Sequence, residues 1–268
     1  MSAARNPTPT APAEPDIGKP VAGVIFDFDG TLGELHIDFA EMRRQALAVM
    51  ERHGVDPASL PQTFTLEQLA AAGEALKEKG QAERAQAMRQ EAMQAIENIE
   101  VKAACRARLF ECVAPTLEAL RGLGVACVIV TRNCARAVDL VLGEARRHFR
   151  AVLTREAVAN VKPHPEHLQS ARKALGVADG APVMMVGDHP SDMQAARAAG
   201  MIAVGVLSGS ASAQALAEAG AHFLVPDVGG VPALVHAWNL CAATRQRFPQ
   251  AARGVNLPAE GMSDPCAK

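Results

Sequence analysis

Val24-Ile25-Phe26-Asp27-Phe28-Asp29-Gly30-Thr31-Leu32 is the stretch on which the fold turns. An apolar run stops abruptly at two carboxylates and a glycine. The run belongs to residues 21–26, and similar runs occupy 125–130, 151–153, 183–186 and 202–206, with a weaker one at 222–225. All are close to continuously apolar rather than alternating, as expected of parallel strands covered on both faces. Between them lie helical patterns at 115–123, 135–148, 165–175, 192–199 and 211–219, the first punctuated by Gly122 and Gly124. Strand and helix in alternation predict an α/β fold: a Rossmann-like parallel sheet in a three-layer α/β/α core, with right-handed crossovers.

One stretch breaks the alternation. Residues 33–114 carry no strand signal and are rich in Ala, Glu, Gln, Arg and Met, which are good helix formers. Helices are expected over about 38–53, 66–79 and 82–109. The chain thus divides into a core of 20–33 and 115–245, an inserted all-α cap of 34–114, and loose termini at 1–19 and 246–268. Both entry points of the insertion flank the carboxyl end of the first strand, where open α/β sheets place their ligands. A lid over that strand is the functional reading; a subdomain that only adds stability is the plain one.

Composition narrows the function. With 268 residues the chain holds one large domain or two modest ones. Aromatics are 3%, with one Trp and no Tyr, so the core is built from aliphatic side chains and Met, and stacking platforms for unpaired bases are scarce. A formal net charge of -2 provides no global field for nucleic acid or an anionic membrane. The six cysteines, at 105, 112, 127, 134, 241 and 266, form no Cys-x-x-Cys pair and no zinc spacing. A reduced, cytoplasmic setting is expected, with Cys127 as a small apolar strand residue. Residues 1–20 lack the apolar centre of a signal peptide, and no run of about 18 apolar residues occurs.

Asp27 and Asp29 follow the first strand, and alternation points both carboxylates the same way. Two close carboxylates repel, which calls for a cation or a shared proton; an acidic turn before Gly30 is the alternative. Thr131 follows the second strand, Lys162 precedes a helix in Val161-Lys162-Pro163-His164-Pro165, Gly187-Asp188 end the strand at 183–186, and Asp192 opens the next helix. In a parallel sheet these ends share one edge, so the residues can converge. Singly, Thr131 or Asp192 is a helix cap and Lys162 a solvated loop lysine.

Together these motifs resemble the haloacid-dehalogenase-like hydrolase superfamily: Asp27-Phe28-Asp29-Gly30-Thr31-Leu32 as the first motif, Thr131 as the second, Lys162 as the third, Gly187-Asp188-His189-Pro190-Ser191-Asp192 as the fourth. The likeness covers about residues 20–240. The helical insertion, Lys162-Pro163-His164-Pro165 and residues 192–201 resemble the phosphoglycolate phosphatase subgroup. The resemblance implies a phosphatase acting on a small phosphomonoester, with 2-phosphoglycolate as the first guess. It implies Asp27 as nucleophile, Asp29 as acid and base, and Thr131 and Lys162 as phosphate-binding groups. It also implies Mg2+ held by Asp27, the backbone carbonyl of Asp29, and Asp188, with Asp192 a ligand directly or through water. Backbone amides near Gly30 and Arg132 complete the phosphate cradle. Asp29 separates phosphoryl transfer from dehalogenation, which needs no acid two residues after the nucleophile.

Several residues are open on sequence. Arg132 stands where the pattern often has Asn, and is either a substrate contact or a solvent-facing or salt-bridged arginine. His189 reads as a partly exposed loop histidine, with tuning of the metal shell as the alternative; His36, His164 and His167 have no metal-ligand spacing. Glu34 and His36 replace an acidic-serine pair frequent in relatives. Arg43, Arg44, Arg84 and Arg89 read as a solvated helix face, and Met88 and Met93 as helix packing. A phosphosugar mutase and a non-catalytic phosphate or metal sensor are the rival functions. No nucleic-acid or membrane partner is expected, and monomer and dimer remain open.

Overall fold

The computed structural model describes residues 18–61 and 63–247. The expected loose arm and tail therefore fall almost wholly outside the described residues, as does Cys266. The apolar runs form strands β1 (Gly23–Phe26), β4 (Ala126–Val130), β5 (Ala151–Leu153), β6 (Val183–Gly187), β7 (Ile202–Val206) and β8 (Phe223–Val225). They make one sheet of order β5-β4-β1-β6-β7-β8, parallel throughout. The order departs in both directions from β1, which makes the carboxyl end of β1 a topological switch point. The register sets Phe26 level with Ile129 of β4 and Val186 of β6. Asp27, Thr131 and Asp188 each follow within two residues, so one edge of the sheet collects them.

Side-chain alternation explains the near-continuous apolarity. Val24, Phe26, Ile129, Met184 and Val186 face one core; Ile25, Val128, Val130, Val183 and Met185 face the other. The first face is covered by α4 (Val113–Gly122), α5 (Ala135–Leu142) and α9 (Val231–Arg247). The second is covered by α6 (Glu166–Leu175), α7 (Pro190–Ala198) and α8 (Ala213–Glu218). This is the expected three-layer architecture.

Between β1 and β4 come α1 (Phe39–Arg52), α2 (Thr65–Glu78) and α3 (Ala82–Ala104). Val49, Met50, Leu69, Leu76, Ala85 and Met88 form a separate apolar cluster among these three helices. Met88 is packing, as expected. Asp38 caps α1 by accepting the Glu41 N–H at 2.8 Å. Arg44 is ion-paired to Glu41 on the surface.

Several expectations need correction. The insertion is not free of strand: Gly33–Glu34 (β2) and Arg108–Leu109 (β3) pair antiparallel at its root. Two residues are too few for a periodic signal. Accordingly α3 ends at Ala104, not near 109, and α4 already begins at Val113. The 135–148 pattern splits, because Gly143 at φ 46° stops α5 and a 3-10 turn follows. Helix α9 was not anticipated. Its Val231, Val235, Trp238 and Ala242 are buried at helical spacing, and Trp238 donates its Nε1–H to the Lys19 carbonyl at 3.0 Å.

Candidate active site

Each site residue is placed by the end of a strand or the start of a helix. Lys162, whose side chain is 1% exposed, lies between two carboxylates: its Nζ is 2.6 Å from Asp27 Oδ1 and 2.7 Å from Asp192 Oδ1. Burial works against the ammonium, but Asp192 and Asp27 outweigh it and raise the lysine's pKa. Lys162 is thus an interior cation rather than a solvated loop lysine. The Lys162–Pro163 peptide is cis.

Asp192 is a helix cap, one of its readings, and also a partner of Lys162. Its Oδ2 accepts the His189 N–H at 3.1 Å, closing a capping box at the start of α7 with His189. Its other oxygen faces Lys162. Asp188 receives Thr31 Oγ1–H at 3.2 Å and the Ser210 N–H at 3.3 Å. Gly30 sits at φ 79°, and a Cβ there would lie 2.6 Å from the Asp188 carboxyl carbon. Glycine is needed here for both the left-handed backbone and the close approach. Ser208 Oγ–H donates to the Gly30 carbonyl at 2.8 Å. Sequence reasoning places Thr31 in the first motif without a role and misses Ser208 and Ser210; the Ser208-Gly209-Ser210 run just past β7 is the available signal.

Carboxylate oxygens of Asp27, Asp188 and Asp192 all lie within 4.8 Å of one another, and all three residues are buried. Burial first, then the neighbouring carboxylates, raise Asp27 well above the ordinary carboxylate range. Burial, then the charge of Asp192, pushes Asp188 up to about 6. Three carboxylates against one ammonium leave an excess of negative charge in a buried place. An all-oxygen, anionic donor set of this kind fits a hard divalent cation.

Asp29 stands apart from this triad. Strand β1 ends at Phe26, and a turn bridging Asp29 to Gly33 begins. The alternation that would aim Asp27 and Asp29 alike therefore does not extend so far. Asp29 Oδ1 accepts the Leu35 N–H at 2.8 Å, and burial raises its pKa. Of the amides near Gly30, that of Gly30 itself donates to the Gly33 carbonyl at 2.7 Å. The amides of Asp29 and Arg132 have no protein acceptor among the described residues.

Thr131 is buried, and its Oγ1 accepts the Asn133 N–H at 3.1 Å, which leaves its own O–H to donate. Arg132 points to the insertion: it is ion-paired to Glu67 of α2 at 2.8 Å and lies 5.1 Å over the Phe64 ring. Of its two sequence readings, the salt bridge is the one present. Phe64 also meets the His189 ring edge-on at 5.6 Å. Two insertion residues thus touch the rim of the site. His167 is buried with Nε2 3.0 Å from the Leu153 carbonyl, and burial lowers its pKa to about 4. His36 pairs with Glu34 on the surface.

The sequence profile of haloacid dehalogenase-like hydrolases matches residues 24–206. A protein described as probable phosphatase IndB, from Dickeya dadantii, is 31% identical over 80% of this chain and 93% of its own length. A phosphoglycolate phosphatase of Neisseria gonorrhoeae is 40% identical over 35% of this chain; the match spans only 40% of that protein. Among solved structures, a hydrolase from Pseudomonas syringae superposes with a TM-score of 0.57 at 23% identity, over 80% of this chain and 98% of that one. The profile runs from the strand that presents Asp27, through Thr131 and Lys162, to the strand before Ser208, and the chain belongs to the haloacid dehalogenase-like hydrolase family.

Proposed function

We propose that this enzyme is a Mg2+-dependent phosphatase that hydrolyses a small phosphomonoester through an aspartyl-phosphate on Asp27. The observation that carries the reading is the buried Lys162 ammonium held between Asp27 and Asp192, with Asp188 beside them.

Asp27, Asp188, the Asp29 carbonyl and Asp192 would hold Mg2+, which when bound neutralises charge on phosphate and nucleophile. The protein's own groups divide the rest. A carboxylate oxygen of Asp27 attacks phosphorus; the new P–O bond forms as the ester P–O bond breaks. Asp29, whose pKa is raised by burial, keeps a proton more readily than an exposed aspartate and gives it to the leaving alkoxide. Held at Oδ1 by Leu35, it retains Oδ2 for that transfer. It then takes a proton from the water that attacks the phosphoaspartate, which releases phosphate and restores Asp27. Lys162 and the Thr131 hydroxyl stabilise charge on the phosphoryl oxygens, and the free amides of Asp29 and Arg132 extend the same cradle.

Residues 34–114 act as a cap over a core of 20–33 and 115–245. The separate apolar cluster of the insertion and the reach of Phe64 and Glu67 to His189 and Arg132 support this division. Closure would exclude bulk water and select the substrate. With Arg132 as a further anion-binding group, 2-phosphoglycolate is the first substrate to test. The five described cysteines are free thiols, which suits a reducing compartment such as the cytoplasm.

Phosphate release from a panel of phosphorylated metabolites, with Mg2+ and with a chelator, tests the reading. Release should need the metal, and Asp27→Asn should reduce it by at least about a thousandfold, on the scale of a lost nucleophile. Undiminished release by Asp27→Asn would sink the mechanism. Isomerised product without free phosphate would make the enzyme a mutase.

A further inference from the structure

Outside the site, the described residues bury one more pair of opposite charges. Glu100 of α3 and Arg155, which follows β5, are each under 10% exposed, with Arg155 Nη1 2.5 Å from Glu100 Oε1. Other acids of the insertion, such as Glu74 and Glu91, lie at the surface. A buried ion pair seldom yields net stability over apolar side chains of the same size, because desolvation offsets the attraction. Its hydrogen bonds show where it acts. Glu100 Oε2 accepts the Cys134 N–H at 3.1 Å. Arg155 Nη1–H donates to the Arg132 carbonyl at 3.2 Å, and its own backbone N–H donates to the Asn133 carbonyl at 3.4 Å. Arg132 and Cys134 are therefore pinned by the side chains of one charged pair, and Asn133 between them by the backbone of Arg155. Within that loop, the Asn133 N–H holds the Thr131 hydroxyl oxygen.

We propose that Glu100 and Arg155 are positioning residues. They hold the Thr131–Cys134 loop so that the Thr131 hydroxyl meets a phosphoryl group. Because Glu100 belongs to the insertion, the phosphate cradle of the core is completed from the insertion's longest helix. The proposal rests on the phosphatase reading. It adds that the carboxyl-terminal end of α3 is part of the phosphate site's construction, whereas Phe64 and Glu67 meet only its rim. Glu100 touches neither substrate nor metal in this scheme, and its effect passes through Thr131.

The test is calorimetric binding of inorganic phosphate in the presence of Mg2+, beside steady-state kinetics on the best substrate of the panel. Glu100→Gln keeps an acceptor for Cys134 but removes the charge facing Arg155. It should weaken phosphate binding and raise KM by about tenfold, within the roughly hundredfold range that a small misplacement of reacting groups can reach. In a Thr131→Ala background the same substitution should add little, since a residue acting through another is not additive with it. Should Glu100→Gln not fold, the double substitution Glu100→Met with Arg155→Met removes both charges at conserved bulk. It should fold and show the same loss of phosphate affinity. A lowered melting temperature with unchanged phosphate affinity and KM in the folded protein would overturn the proposal, as would a full effect in the Thr131→Ala background. Wild-type protein that binds phosphate and turns over, beside variants that match it, would refute the positioning role alone. Wild-type protein that does neither would overturn the phosphatase reading and this proposal with it.

Discussion

The sheet edge and the helical insertion hold charge in opposite ways. At the edge, Asp27, Asp188, Asp192 and Lys162 are almost wholly buried, and the acids outnumber the base. On the insertion, Arg44–Glu41, Arg52–Glu91 and Lys77–Glu74 are balanced pairs on the surface. Water screens the second set, so their arrangement is nearly free of consequence. Nothing screens the first, so every charge there must be answered by a partner, a proton or a cation. The imbalance at the edge is thus a stored demand for a positive ligand, and the balance on the insertion asks for nothing. Removing one charge should therefore have effects that shrink steadily from the edge outward.

The largest effect is expected at Lys162. Lys162→Met leaves Asp27 and Asp192 facing each other without their shared cation. The unpaired buried charge should cost about 3 to 5 kcal/mol at neutral pH without metal. Mg2+ should recover part of that stability but not turnover. Chemical denaturation with and without Mg2+ measures both; a variant as stable as wild type in chelator would break the contrast.

Next comes the competition between protons and metal at the edge. Asp188 is raised to about 6 by burial and by Asp192, against 3.8 for a free carboxyl. Between those values the folded protein holds a proton that the unfolded chain has released. Metal-free stability should accordingly fall as pH rises from about 4 to about 6. Asp27 is raised too, again by burial first, and works in the same sense. Mg2+ must displace these protons, so it should raise the melting temperature more at pH 7.5 than at pH 5. Equal metal-induced shifts at the two pH values would contradict the assignment of Asp188.

The same contrast explains what could be read in the sequence. Apolar runs announce buried strands whatever they pack against, and residues just past a strand's end are confined to one edge by the parallel arrangement. Asp27, Thr131 and Asp188 were legible for that reason. Asp29 was half legible: its place just past the apolar run is plain, but β1 stops at Phe26 and Asp29 already bridges to Gly33, so strand alternation does not set its direction. Glu100 was not legible at all. It is one glutamate among several on a long polar helix, and only packing against Arg155 and Cys134 distinguishes it. Arg132 and Glu67 are 65 residues apart and meet only in three dimensions. Helix α9 carried a readable spacing in Val231, Val235 and Trp238, but His236, Asn239 and Arg245 diluted its apolar character.

Between edge and surface stands Glu67, on the insertion yet paired to the core. Glu67 and Arg132 side chains are 30% and 21% exposed, so their pair is partly screened. Glu67→Gln should change stability by no more than about 1 kcal/mol. It should free Arg132 for an anionic substrate, lowering KM for phosphomonoesters that also carry a carboxylate by about two- to fivefold, the equivalent of that same energy. Substrates without a second charge should be unaffected. An equal change for both kinds would show that Arg132 meets no substrate anion and that the pair serves the insertion alone.

The smallest effect is expected at Lys77, and its smallness matters to the comparison. Lys77 lies 2.8 Å from Glu74, nearly the same as the 2.7 Å from Lys162 to Asp192. Distance alone would rank the two pairs as equals. Their side chains differ in surroundings: 56% and 67% exposed at Lys77 and Glu74, against 1% at both Lys162 and Asp192. Water answers either charge of the outer pair as well as its partner does. Lys77→Gln, which keeps the helix-forming chain and removes the charge, should shift the unfolding free energy by less than about 0.5 kcal/mol and leave kcat and KM unchanged. A loss comparable to that of Lys162→Met would mean that proximity, and not burial, sets the worth of an ion pair in this enzyme, and the account of its active-site edge would have to be rebuilt on that basis.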